Sequence, residues 1–141
     1  MFSRLQSHLQ WRNDLLLQGR YEDLARTFVF PMVVYYGEAL LHLACEDAAI
    51  GYLRWVHGAL TDRCVVACSV RVFAVSLPVR NRFKVWSVRT YHGTGPQAAV
   101  TLQAVFYMVD TPHGLRSEML EFTECSLPVA GLPRKVWSAP F

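Results

Sequence analysis

Arg89, Glu118, Glu124, His57 and Tyr35 are the residues of this chain whose types suit chemistry at one site. Glu118 is predicted to lie beside Phe106 on the neighbouring strand. An apolar neighbour of that kind raises a carboxyl pKa toward the range of a general base. Arg89 and Glu124 are predicted to flank Val100 on three adjacent strands. With strands about 4.8 Å apart they reach across the valine, an arginine for anions beside a glutamate for proton transfer. Both also suit the solvated rim of a sheet, where charged residues usually sit. His57, near the end of a helix, is a second acid or base if it points inward, and a solvated imidazole if it does not. Tyr35 and Tyr36 alternate faces, so one of them faces inward. A hydroxyl there either polarises a substrate carbonyl or is satisfied within the core.

Other constellations lead nowhere. Cys64 and Cys68 are read four apart on one strand, which separates them by about 13 Å. A disulfide tolerates roughly 7 Å between α-carbons, so buried reduced thiols are expected. The five histidines form no metal motif; His92 and His113 fall in turns at opposite ends of the strands. There is no glycine-rich phosphate loop and no nucleophile elbow. No metal and no cofactor is expected.

The elements that position these residues follow from periodicity. Residues 3–18 repeat apolar positions at helical spacing, with Leu5, Leu9, Trp11, Leu15 and Leu16 near one stripe, Ser3 as cap and Gly19 as stop. A short helix spans 20–26. Residues 28–36 make a strand containing Pro31, which belongs at an edge, a bulge or a strand start. A second short strand covers 40–44. Residues 46–60 form a third helix with Glu46 and Asp47 in its first turn. From Cys64 to Cys125 the chain is rich in Val, Phe, Tyr and Thr. It reads as four strands in a meander, turning at Leu77-Pro78, at 93–96 and at 110–114.

Pairing Val75 with Arg82, Tyr91 with Ala98 and Val109 with Leu115 sorts these strands into two faces. The more apolar face carries Val66, Cys68, Val70 and Val72, then Val85, Arg89 and Tyr91, then Leu102, Phe106 and Met108. From the last strand it takes Arg116, Glu118, Leu120, Phe122 and Glu124. This face is assigned to the helices and to a pocket. The opposite face holds Phe73, Trp86, Val88, Val105, Tyr107 and Met119 among polar residues including Ser117 and Glu121. It is aromatic enough to predict a homodimer interface.

The element order, together with two local stretches, resembles the NTF2-like (SnoaL-like, cystatin-like cone) superfamily. One stretch is Leu17 to Ala25 leading to Phe30-Pro31. The other is Phe106 to Asp110 followed by Gly114-Leu115-Arg116-Ser117, where Leu115 and Ser117 replace the usual Trp and Ile. The resemblance covers roughly residues 3–127. It implies an α+β cone in which N-terminal helices pack on a curved, mainly antiparallel six-stranded sheet around an apolar pocket, often in a homodimer. It implies no single reaction.

The bulk properties set the remaining bounds. One domain suits 141 residues, here 1–127, followed by a proline-containing strap or mobile tail over 128–141. At 52 % hydrophobic and 18 % charged, the chain has apolar surface to spare for a cavity or an interface. A net charge of +3 with scattered basic residues gives no footprint for nucleic acid. No run of about 18 apolar residues exists for a membrane span. No signal peptide is read, so a cytoplasmic location is expected. Three functions remain open. The chain binds a small apolar molecule in its pocket. Or it is a small isomerase, dehydratase or cyclase using Glu118 or His57, with Arg89, Tyr35, Glu124 and Phe106 holding substrate. Or it is a structural dimer with a filled pocket.

Overall fold

The computed structural model describes residues 2–37, 39–94 and 100–125. The 128–141 strap and part of the 93–96 turn lie outside them. Three helices precede or interrupt six strands: α1 (Phe2–Leu17), α2 (Tyr21–Ala25), β1 (Phe28–Tyr36), β2 (Ala39–Leu43), α3 (Glu46–Asp62), β3 (Val65–Val75), β4 (Arg82–Gly93), β5 (Val100–Thr111) and β6 (Gly114–Cys125). One open sheet results, in the order β2-β1-β6-β5-β4-β3. All neighbours run antiparallel except β1 and β6. The α+β architecture matches the sequence expectation.

Helix α1 stops where expected. Gly19 takes φ +75°, a left-handed value that costs glycine nothing. The amides of Gly19 and Arg20 then return to the carbonyls of Leu16 and Leu15 at 3.0 and 2.9 Å, the two bonds that close a Schellman turn. The helix buries Leu5, Leu9, Leu15 and Leu16 against the sheet. Trp11, expected in that stripe, is 46 % exposed. Arg12 takes the inward position because it lies three residues after Leu9 and four before Leu16.

Two glutamines on α1 serve the sheet edge. Gln10 accepts from the amide of Val70 and donates to the carbonyl of Cys68, and Gln6 accepts from the amide of Val72. Strand β3 ends the sheet on this side, so its outer backbone groups would otherwise lack partners. The helix therefore covers the edge as well as the inner face.

Register differs from the sequence pairing in an instructive way. On β4 and β5, Tyr91 pairs with Val100 and Arg89 with Leu102. This two-residue offset from the expected pairing leaves every side chain on its expected face. On β6, Val109 pairs with Arg116, Met108 with Ser117, and Tyr107 with Met119, so Glu118 is an extra residue in a bulge. A second irregularity skips Thr123, and Glu124 then faces Gln103. Each bulge reverses the alternation of side chains. Pro31 sits in β1 where the pairing with β6 is irregular, between Phe28 and Val33, one of the positions its missing donor allows. Cys64 is not a strand residue: it precedes β3 with φ +59° and is exposed.

Gly93 marks a tight approach of β4 to the start of β3. A Cβ there would lie 2.0 Å from the carbonyl oxygen of Cys64 and 2.8 Å from Cα of Val65. Both are backbone atoms that cannot step aside. Gly93→Ala is expected to lower the unfolding free energy by about 2–3 kcal/mol in urea denaturation.

Candidate functional site

Between α1, α3 and the concave face of the sheet lies a cavity with about 50 Å³ of free space. That is room for a few water molecules or a small organic molecule. Its walls are apolar: Leu9 and Leu16 from α1, Leu53 and Val56 from α3, and Leu102, Phe106, Leu120 and Phe122 from the sheet are among them. Into this lining project two guanidinium groups, Arg12 and Arg89, and the hydroxyls of Tyr36 and Tyr52, which hydrogen-bond each other.

The two arginines differ in how they are satisfied. Each nitrogen of Arg12 has a protein partner. Its Nη1 donates to Ser117 Oγ at 2.9 Å, its Nη2 to the carbonyl of Thr27 at 3.0 Å, and its Nε to His8 Nε2 at 3.1 Å. Arg89 is 9 % exposed, and its Nη1 reaches the Tyr91 hydroxyl at 3.4 Å. Its Nε and Nη2 have no partner among the described residues, and neither has the buried Ser87 Oγ on the same strand. The Arg89 guanidinium lies 5.6 and 5.2 Å from the ring centres of Phe106 and Phe122. Arg12 shares Phe106 at 5.9 Å. The rings fix the planes of both cations and offer them a quadrupole, which is weaker than a counter-charge.

Burial, and then repulsion from Arg89, lowers the Arg12 pKa to about 9; it is still cationic at neutral pH. For Arg89, burial opposes the charge but Tyr91, Cys68, Tyr52 and Tyr36 favour it more, so its pKa lies above the usual arginine value. Desolvation holds those four groups protonated. It pushes Tyr91 to about 12 and Cys68 to about 11, and raises Tyr36 and Tyr52 well above the usual phenol value. At neutral pH Arg89 is therefore surrounded by dipoles rather than anions. No carboxylate lies within ion-pair distance of either arginine among the described residues. Among those residues no cluster of His, Cys, Asp or Glu could hold a metal ion.

No protein-family model and no curated protein sequence matches the chain. Solved structures do. A domain of unknown function with a cystatin-like fold from Nostoc punctiforme superposes with a TM-score of 0.65 at 15 % identity, covering 91 % of this chain and 78 % of that one. An NTF2-like protein from Novosphingobium aromaticivorans gives 0.64 at 14 % identity, over 96 % and 87 % of the two chains. A ketosteroid isomerase-like protein from Erwinia carotovora atroseptica gives 0.54 at 12 % identity, over 80 % and 88 %. The chain has the NTF2-like cone fold. At these identities the likeness establishes fold alone.

Within this NTF2-like cone, the expected site residues separate. Arg89 and Phe106 face the cavity as read from the sequence. Glu118 does not: as the bulge residue it turns outward and pairs with Arg82 at 2.7 Å. Glu124 is exposed opposite Gln103, because the bulge at Thr123 reverses the strand before it; Cys125, not Glu124, lies in the row of Arg89 and Leu102. Tyr35 points to the other face, and Tyr36 is the inward tyrosine. His57 sits outside the cavity lining, bonded through Nδ1 to the Tyr21 hydroxyl. Ser117, assigned to the outer face, is fully buried and holds Arg12.

Arg12 was legible in principle. A charged residue in the centre of an apolar helical stripe is the signal: Arg12 interrupts the run of Leu5, Leu9 and Leu16. A wider groove lies beyond His8 and Thr27, with Arg4, Arg20, Arg26, Arg116 and Trp11 on its walls. It is open to solvent, and Asp23 already pairs with Arg20 and Arg26 at 2.7 and 3.3 Å.

Opposite outcomes are expected for the two arginines. Arg12→Met should lower the unfolding free energy by about 2–4 kcal/mol, since it orphans Ser117 and Thr27. Arg89→Met should raise it by about 1–3 kcal/mol, since an uncompensated buried charge is removed. Denaturant titration of both variants checks the pair. His8 adds a pH dependence. Burial, then Arg12 and Arg4, lowers its pKa from 6.5 to about 4, so the unfolded chain takes up a proton that the folded chain refuses between those values. Stability from His8 is complete above pH 6.5 and is lost as the pH falls toward 4. The loss is about 1–2 kcal/mol after allowing for partial exposure. His8→Gln should flatten the stability profile in that window.

Proposed function

We propose that this chain is a noncatalytic cone that binds a small, mainly apolar molecule in its interior cavity. The observation that supports this reading is the composition of the cavity wall: aliphatic and phenyl groups, two guanidinium groups, a pair of bonded tyrosine hydroxyls and the carboxamide of Asn13, which is engaged by Leu9 and Tyr91. General acid–base work needs a group that titrates near neutrality within reach of the substrate. The tyrosines are held protonated, and Glu118 and His57 are engaged elsewhere. The ketosteroid isomerase-like neighbour keeps an enzymatic reading in view. The Tyr36–Tyr52 pair favours it as a donor to a substrate carbonyl, yet the described lining residues supply no base. A free space of about 50 Å³ is well below the several hundred Å³ of drug-sized sites, so the ligand is small.

Native mass spectrometry of the purified chain is expected to show a co-purified small molecule, with a rise in melting temperature when it is added back. A chain free of ligand under gentle ionisation, and unmoved by any small apolar compound in a thermal-shift screen, would leave the filled structural cone as the better account.

The same reading includes a homodimer through the outer sheet face. Trp86, Val88, Tyr107 and Met119 are half-buried there and Phe73 is 46 % exposed. Apolar area of this kind supports a partner surface. Size-exclusion chromatography with light scattering at micromolar concentration should give twice the mass of one chain. Phe73→Asp and Tyr107→Asp should shift it to one chain; a wild-type protein of single-chain mass rejects the dimer. None of the helices among the described residues is long and apolar enough to cross a membrane, and the four cysteines are unbridged. Both features are in keeping with a cytoplasmic location.

A further inference from the structure

Arg89 lines the cavity and carries a buried pair of donors that no described residue fills. Nε and Nη2, which have no partner among the described residues, lie along one edge of the planar guanidinium with N–H bonds that run parallel. The remaining nitrogen, Nη1, is turned to Tyr91, and the Tyr91 hydroxyl spends its own proton on Asn13 Oδ1 at 2.8 Å. That hydroxyl is thereby fixed as an acceptor, and it sets the rotation of the guanidinium. Phe106 and Phe122 hold its plane. The fork is thus oriented by four side chains and filled by none of the described residues.

We propose that the cavity takes a carboxylate, its two oxygens seated side-on against Nε and Nη2 of Arg89, with the apolar remainder of the ligand lying along Leu102, Phe106, Leu120 and Phe122. This rests on the reading of the cone as a small-molecule binder and names the class of molecule. A carboxylate matches the parallel donors in a way that one point acceptor does not. It also places a negative charge near two cations that repel each other across the face of Phe106. A buried charge is costly unless something compensates it, and no anion among the described residues does so here. The chemistry points to a monoanion. Arg12 has already committed every nitrogen to His8, Ser117 and Thr27. One fork in an apolar wall cannot replace the hydration of a phosphate dianion. The small free volume restricts the ligand to a short aliphatic acid.

The probes are straight-chain monocarboxylates from acetate to hexanoate, the primary alcohols of equal length, and inorganic phosphate, each titrated calorimetrically into the full chain at pH 7.5. Saturable binding of acetate or propionate is expected, the shortest acids being the ones the free volume admits, at least tenfold tighter than the alcohol of equal length, with phosphate inert. Arg89→Lys keeps the charge but loses the fork. It is expected to weaken the acid at least tenfold and leave the alcohol within about twofold. The comparison of acid with alcohol on the unaltered chain does not depend on any variant folding. Equal binding of acid and alcohol overturns the carboxylate while the apolar binder stands. Phosphate binding as tightly as the acid overturns the choice of ligand class. Binding of neither acid nor alcohol overturns both this inference and the binder itself.

Discussion

A buried guanidinium must find an acceptor for each of its nitrogens, and much of this fold is arranged so that Arg12 does. Arg12 leaves α1 among leucines and reaches three separate parts of the chain: His8 one turn back, Thr27 at the start of β1, and Ser117 on β6. Thr27 and Ser117 are themselves joined, since the Ser117 amide donates to the Thr27 carbonyl at 2.9 Å. Helix, first strand and last strand therefore meet at one node. Ser117 is available there because β6 bulges at Glu118; a regular strand with Leu120 and Phe122 inward would turn Ser117 to the other face. The bulge, the buried serine and the outward Glu118 are one structural event.

Arg89 has the same chemistry in the opposite condition. It stands within β4, two residues from Tyr91 and two from buried Ser87, on a face otherwise aliphatic or aromatic. Cations in such surroundings are stabilised by ring faces and hydroxyl dipoles only in part. The fold carries this cost because the rest of the core is well covered, with Leu9, Met32, Val34, Leu41, Leu60, Val85, Tyr91, Val100 and Met108 almost fully buried. Stability and binding are thus divided between two arginines, one that closes the structure and one that leaves it open to a ligand.

The long meander would be an aggregation hazard without its helix. Strand β3 is eleven residues long and ends the sheet, and unpaired strand edges recruit other strands. Gln6 and Gln10, one turn apart on α1, bond to its outer amides and one carbonyl.

Sequence by itself determined the elements and their order, because helical and strand periodicities are local. The starts and ends of β1, α2 and α3 lie within two residues of where the spacing puts them, and Gly19 stops α1 because only a residue free of Cβ strain takes that turn readily. It also determined that Arg89 and Phe106 face inward. Their strands pair with an even offset from the expected register, so the faces survive the error. What only the tertiary structure decided is the fate of the carboxylates. Alternation along β6 is interrupted at Glu118 and at Thr123 by the demands of β1, β5 and Arg12, none of which is near in sequence. A bulge is a compromise between strands that meet only in the folded chain. One extra residue reverses the alternation of side chains, and so the acids expected in the pocket stand outside it and Arg89 faces no carboxylate among the described residues.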